Sequence, residues 1–576
     1  MNQRNARAKE QPPYWRYVAV LVAFALLTGA LAWRAVDLQV VRNDFLQHQG
    51  DARHLRVVSD PAHRGMITDR NGEPLAISTP VHSVWAHPGN LLEAHERLPE
   101  LARVLDLDAP ALADRLRQRR DREFVYLRRH VRPERADAVM ALGLPGVALQ
   151  REYQRFYPAG EVTAHLIGFT DVDDIGLAGI ELAYDSWLQG ESGRKRVVQD
   201  RHGRIIDDVE QLQEPRPGRD LTLSIDRRLQ YLAYRELKAA VNAHGARGGA
   251  LVLMDPDTGE ILALANQPAF NPNDRSSLHA ANRRNAALVD AWEPGSTIKP
   301  FTVAAALEAG MVTPDTMIDT GPGVLRVGGH RVRDAHDYGR IDVSTVISKS
   351  SNVGAAKLAL AMDEERLWRF LGRAGFGQRT GVGFPGEAGG RLADMPPDNE
   401  LERATLAFGY GLSVTPLQLT RAYAAIAGDG TMPAPSLIRT DAPAERERIM
   451  SEATADDVLA MLEQAASPGG TAVRAQVPAY RIAGKTGTVH KSVNGGYAED
   501  RYVAWFAGMA PASDPELVMT VMLDEPSGDA YYGGQVAAPV FSEVMGGALR
   551  LLNVPPDGLQ RPSGPEPLTA MGEGQP

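Results

Sequence analysis

The strand-forming segments of the C-terminal part of this chain fall into two groups, separated by everything between residues 266 and 479. In the first group, Gly249–Met254 and Glu260–Ala265 flank the turn Asp255-Pro-Asp-Thr-Gly259, which is a strand–turn–strand signal. In the second, Tyr480–Val489, Tyr502–Met509 and Leu517–Leu523 are three further β-type runs. If both groups join one sheet, about five antiparallel strands come from the two ends of a domain, and the intervening residues form an insertion packed on it. Helical signals lie there and just ahead. Thr415–Ala427 has Pro416 in its first turn and Gly428 after its end, and 227–243 carries Leu229, Leu232, Leu237 and Val241 at helical spacing. A sheet of sequence-distant strands around a large helical insertion is an α+β architecture.

At 576 residues the chain holds several domains. Tyr17–Trp33 carries no charge, and Arg4, Arg7, Lys9 and Arg16 precede it. Such a run spans a bilayer as one helix, and the basic flank keeps the N-terminus cytoplasmic and sends the remainder outward. A cleaved signal peptide is the alternative, because Ala30-Leu31-Ala32 has the form of a cleavage site. The expected organisation is a tail at 1–16, an anchor at 17–36, a pedestal without a nucleophile–base pattern at 50–220, a domain at 221–555 and a disordered tail at 556–576. The pedestal reads as Arg-rich, with a helix over Leu101–Arg119. The net charge of −10 and the lack of a basic stripe argue against nucleic-acid binding. The absence of cysteine excludes disulfides, thiolate metal sites and cysteine nucleophiles. His165, His330 and His336 have no metal-ligand spacing and read as structural or surface residues. No cofactor is implied.

Three short motifs carry the chemistry. Ser296-Thr-Ile-Lys299 lies in Trp292-Glu-Pro-Gly-Ser-Thr-Ile-Lys-Pro300. A serine hydroxyl needs a base, and residues three apart on a helix share a face, so Lys299 can serve Ser296 if its pKa is depressed by burial or by nearby positive charge. Pro294 and Pro300 place Ser296 at a helix start, where the dipole favours developing negative charge. Ser350-Ser351-Asn352 follows, with a hydroxyl to relay a proton at Ser350 and an amide to orient Lys299 and the substrate amide at Asn352. Lys485-Thr-Gly487 comes last, on a strand edge. There Gly487 admits a substrate backbone, Lys485 with Thr486 or Thr488 binds a carboxylate, and the N–H after the glycine joins that of Ser296 in an oxyanion hole. Lys485 is also a source of the charge that depresses Lys299. Tyr502, Tyr531 and Tyr532 line the cleft or pack on a strand face.

Competing patterns are weaker. Ser492-Val-Asn494 repeats the middle motif but lies only seven residues past Lys485. Gly484-Lys485-Thr486 ends like a phosphate-binding loop, but the first glycine of that motif would fall at Ala479. Glu293 neighbours the nucleophile as a base for deacylation, and the Pro-Gly turn between them points it away.

The ordered trio is the signature of penicillin-inhibited serine acyltransferases, commonly written with Ser-Asp-Asn in the middle, where this chain has Ser-Ser-Asn. The chain resembles class B penicillin-binding proteins over nearly its full length. Arg64-Gly-Met-Ile-Thr-Asp-Arg-Asn-Gly72, Arg155-Phe-Tyr-Pro158, His165-Leu-Ile-Gly168 and Gly176-Leu-Ala-Gly-Ile-Glu181 are similar to that family's pedestal motifs. Tyr531-Tyr-Gly-Gly534, Ala538-Pro-Val-Phe541 and Met545-Gly-Gly547 most resemble the division-specific, FtsI-type branch. The resemblance implies D,D-transpeptidation of peptidoglycan stem peptides derived from lipid II, through a Ser296 acyl-enzyme that β-lactams trap. It implies a transpeptidase domain with a central five-stranded antiparallel sheet and a helical subdomain, and a pedestal that serves in dimerisation. An FtsW-type glycosyltransferase and other divisome membrane proteins are the implied partners, and the periplasmic side of the inner membrane at the septum is the implied location. An elongation-specific class B enzyme would share every role. A β-lactam sensor would need an output module for which 16 N-terminal residues leave no room, and a hydrolase would need a deacylating base. His490, just past Thr488, alters the surroundings of the bound carboxylate.

Overall fold

The computed structural model describes residues 14–43, 55–199, 205–274, 280–440, 442–493 and 496–559. The expectations for most of the N-terminal tail and for 560–576 lie outside the described residues. Packing divides the chain into two compact units. One comprises residues up to Ala62, Pro80–Tyr153 and Glu191–Pro217, and the other His63–Thr79, Gln154–Gly190 and the chain from Gly218 onward. The second unit therefore gathers segments from both sides of residue 220. In the second unit Glu181, with no exposed surface, pairs with Arg64 at 2.8 Å and Arg155 at 2.6 Å, while Arg70 reaches Glu260 at 2.9 Å. Breaking such a pair leaves a buried charge uncompensated; the Glu181 pairs bind the pedestal-motif segments to one another, and Arg70 joins them to Glu260.

In the first unit, helix α1 (Tyr14–Val36) runs into a π-helical turn, Asp37–Val41. Its 23 residues extend about 35 Å, enough to cross a hydrocarbon core of about 30 Å. Strands β1 (Leu55–Asp60), β2 (Gly193–Gln199) and β3 (Ile205–Gln213) form an antiparallel sheet in that order. The helix expected over Leu101–Arg119 is two helices, Leu98–Leu105 and Ala109–Gln118. The break is local: Asp106 adopts φ 55°, and the Asp108 carboxylate caps the second helix by accepting from Ala111 N–H at 2.8 Å, just before Pro110.

In the second unit, helix α2 (Arg227–Ala243) precedes β4 (Gly248–Met254) and β5 (Ile261–Gln267). Strands β6 (Ala483–Val493), β7 (Gly496–Ala510) and β8 (Leu517–Asp524) return to the same sheet, in the order β5-β4-β8-β7-β6, antiparallel throughout. Both ends of the domain thus build one five-stranded sheet, as the strand signals predict. β6 begins later than Tyr480, whose N–H turns back to Val477 O, and the β6–β7 hairpin reaches Val493 and Gly496. Ser492 stands on that hairpin opposite Tyr497, and Asn494 lies outside the described residues.

Every residue of β4, β5 and β8 is buried, which accounts for their unbroken apolar runs. Both faces of the sheet are covered. Further helices are α3 (Lys299–Glu308), α4 (Asn352–Ala361), α5 (Pro416–Ala427), α6 (Glu452–Ala466) and α7 (Ala538–Leu551). On one face Leu229 and Leu237 of α2 and Phe541 of α7 share a core with Phe506. On the other, Phe301 of α3, Tyr423 of α5 and Val458 of α6 share a core with Trp505. Helix α5 opens with a capping box: Thr415 Oγ1 accepts from Gln418 N–H at 3.1 Å, and Gln418 Oε1 from Thr415 N–H at 2.8 Å.

Candidate active site

Ser296 lies in a 3-10 turn, Gly295–Ile298, that leads directly into α3. Lys299, three positions on, is the first residue of α3. Several contacts hold the turn. Trp505 Nε1 donates to Glu293 O at 3.0 Å, and the buried Tyr423 hydroxyl donates to Thr297 O at 2.8 Å. Gly295 has φ 56°, a left-handed conformation that a side chain would strain, and its N–H donates to Gly409 O at 3.2 Å.

The side chain of Lys299 is fully buried, and Nζ lies within hydrogen-bond distance of Ser350 O at 2.5 Å, Ser350 Oγ at 3.1 Å and Asn352 Oδ1 at 2.7 Å. Ser350 presents both oxygens because its backbone is left-handed, with φ 60°. Asn352 Nδ2 donates to Arg333 O at 2.9 Å, which fixes the amide so that its oxygen faces the lysine. Burial drives the Lys299 ammonium well below its usual range, and the charge of Lys485 pushes the same way. Lys485 is itself completely buried, and burial lowers it to about 7. Both shifts favour the neutral amine, the form of a lysine that can accept a proton.

Lys485, Thr486, Gly487 and Thr488 lie on β6, the edge strand, opposite Ala507, Phe506, Trp505 and Ala504. Gly487 serves the protein's own packing. A Cβ there would lie 2.7 Å from Pro294 O and 3.0 Å from Thr297 Cγ2, so the missing side chain lets β6 press against the serine turn. Thr486 Oγ1 lies 3.4 Å from Thr471 Oγ1, and Thr488 Oγ1 accepts from Gly533 N–H at 2.9 Å, leaving its own hydroxyl proton free to donate.

Tyr502, Tyr531 and Tyr532 form a continuous stack. Ring centroids are 4.1 Å apart between the first two and 4.4 Å between the last two, and Tyr532 is 53 % exposed. His490 lies at the near end of the stack, 4.7 Å from Tyr502, with Nδ1 against Ala498 O at 2.9 Å. Glu293 turns to Gly411 N–H and the Tyr497 hydroxyl, each at 2.9 Å, and burial raises its pKa. It therefore braces the loop and hairpin beside the turn. His165 is a buried structural residue against Asn282 O at 2.8 Å, and burial lowers it to about 4. Among the described residues no group of three or more His, Asp or Glu is placed to hold a metal ion. One residue absent from the sequence analysis also enters the site. Asp334 binds Ser351 and the start of α4, and no local motif marks it.

Known proteins resemble this chain in sequence and fold. The family model of the penicillin-binding protein transpeptidase domain matches residues 249–546, and that of the penicillin-binding protein dimerisation domain matches 59–223. The peptidoglycan D,D-transpeptidase FtsI of Escherichia coli K12 is 42 % identical, over 99 % of this chain and 98 % of its own length. The probable peptidoglycan D,D-transpeptidase PbpC of Pseudomonas aeruginosa is 42 % identical, over 95 % of this chain and 97 % of its own. The crystal structure of penicillin-binding protein 3 from Mycobacterium tuberculosis, complexed with aztreonam, superposes with a TM-score of 0.66 at 30 % identity, covering 87 % of this chain and 98 % of that one. Identity at this level over almost the whole length, with both domain models matched in order, places the chain in the penicillin-binding protein family.

Proposed function

We propose that this protein is the septal peptidoglycan D,D-transpeptidase of its cell, anchored by α1 with its N-terminus in the cytoplasm and its catalytic unit in the periplasm. The observation that carries the chemistry is Lys299, a buried lysine held by Ser350 and Asn352 one turn from Ser296. Lys299, neutral, takes the proton of Ser296 as Oγ attacks the carbonyl carbon of the penultimate D-Ala of a stem peptide. The backbone N–H groups of Ser296 and of the residue after Gly487 receive the developing oxyanion. The terminal D-Ala leaves with a proton relayed through Lys299 and Ser350, and an ester to Ser296 remains. An amine on a neighbouring stem then attacks that ester, forms the cross-link and restores the serine. Lys485, with Thr486 and Thr488, binds the donor carboxylate, whose arrival favours the charged form of Lys485. Tyr502, Tyr531 and Tyr532 offer an apolar wall to the peptide. A β-lactam forms the same ester with the ring-opened amide still attached. The FtsI relative supports the septal assignment, and an FtsW-type glycosyltransferase with other divisome membrane proteins supplies the strands and the location.

The test is intact mass of the full chain in detergent, followed for hours after adding penicillin. A stable single adduct on Ser296, absent from Ser296→Ala, is expected. Rapid return to the starting mass with consumption of the drug means a hydrolase, and no adduct removes the serine mechanism.

A further inference from the structure

Asp334 follows the short strand His330–Arg333, and its carboxylate is committed on both oxygens. Oδ2 accepts from Ser351 Oγ at 2.6 Å, and Oδ1 accepts from the backbone N–H of Asn352 at 2.5 Å and of Val353 at 3.0 Å. These are the first N–H groups of α4, which lack partners within the helix and lie at its positive end. Ser351 Oγ in turn accepts from Gly354 N–H at 2.8 Å. The Asp334 N–H donates to Gly323 O at 3.0 Å, which ties the loop to the fold. The neighbouring Arg333 carbonyl receives Asn352 Nδ2. Two consecutive residues thus aim Asn352, one through the backbone and one through the side-chain amide, and the Asn352 oxygen meets Lys299 Nζ.

We propose that Asp334 is a positioning residue for acylation: its carboxylate fixes Ser351 and Asn352 against Lys299 and brings a negative charge whose effect on Lys299 opposes that of Lys485. The inference rests on the transpeptidase assignment of Lys299 as base. Burial and Lys485 both favour the neutral lysine, and Asp334 opposes them. The charged and titratable groups facing this cluster are Lys485 from β6, Lys299 from α3 and the Tyr338 hydroxyl, which burial and Asp334 both raise. The middle position of the motif is a serine in this chain, so the carboxylate beside α4 comes from a separate strand end.

The experiment measures the rate of covalent labelling of the detergent-solubilised full chain by a fluorescent penicillin, from acid to alkaline pH. Asp334→Asn keeps the shape and an acceptor for the helix N–H groups but removes the charge. Lys299 then binds its proton less tightly, and the acid limb of the profile moves to lower pH by about half a unit or more, within the range produced by close charges. Asp334→Glu restores the charge and returns the limb toward its wild-type position even where labelling is slower. An unmoved limb in Asp334→Asn, with or without slower labelling, overturns the electrostatic role. If Asp334→Asn does not fold, Asp334→Ser, which removes the charge and keeps an oxygen for the helix N–H groups, takes its place: a limb moved to lower pH supports the proposal, and an unmoved limb overturns it. Wild-type protein that is not labelled on Ser296 refutes the transpeptidase assignment instead.

Discussion

Gly409 packs on Gly295 so closely that a Cβ on Gly409 would lie 2.1 Å from the Gly295 carbonyl oxygen. Gly409 has φ 88° and Gly295 has φ 56°, and the two are joined by the Gly295 N–H to Gly409 O bond. The residue preceding Ser296 is thereby held by a loop that the helical insertion supplies. Gly409→Ala must push that loop off the serine turn. We expect a loss of stability of about 1–3 kcal/mol and a fall in penicillin acylation of roughly 100-fold, the scale of a 1 Å misplacement at a reacting group. Thermal melting and labelling rate check the two parts, and a variant that labels at the wild-type rate removes Gly409 from the support of Ser296.

Lys485 gives the protein a pH-dependent stability whose sign is fixed. Its ammonium falls from 10.5 to about 7 on burial. Between those values the unfolded chain holds a proton that the folded chain has released, so stability rises with pH through that window. Below the folded value both states carry the charge, and above the unfolded value neither does. Lys299 shifts in the same direction. Lys485→Met should therefore flatten, without abolishing, the rise of melting temperature between pH 7 and 9. Parallel curves for the variant and the wild type would falsify the burial-driven shift at Lys485.

The sheet and the motif-bearing residues were legible in the sequence, because strands leave apolar runs and the chemistry leaves Ser296, Lys299, Ser350, Asn352 and Lys485 in short local patterns. What lay beyond reach depends on contacts between distant segments. Asp334 stands 18 positions before Asn352 and meets it only because a loop folds back. The packing of Gly487 against Pro294 and Thr297 likewise joins segments far apart in sequence. The break at Asp106 is masked in the sequence because the apolar spacing of Leu101, Leu105, Leu112 and Leu116 continues across it, and the cap at Asp108 weighs more than that periodicity.

Ser350 separates backbone strain from chemistry. Its φ of 60° turns its carbonyl oxygen and hydroxyl toward Lys299, at 2.5 and 3.1 Å. A left-handed conformation costs a residue with a Cβ about 1 kcal/mol, and glycine adopts it without that cost. Ser350→Ala keeps the strain and loses the hydroxyl, while Ser350→Gly loses the hydroxyl and the strain together. If the hydroxyl relays a proton, both variants should label with penicillin about 100-fold more slowly, the lower end of the range for general acid–base groups. Their stabilities should then part, with Ser350→Gly melting at or above the temperature of Ser350→Ala although glycine gains more freedom in the unfolded chain. Equal loss of rate with this order of melting assigns the hydroxyl to the chemistry and the backbone turn to its delivery. A Ser350→Ala protein that labels at the wild-type rate leaves only the carbonyl oxygen as the group that Ser350 contributes to Lys299.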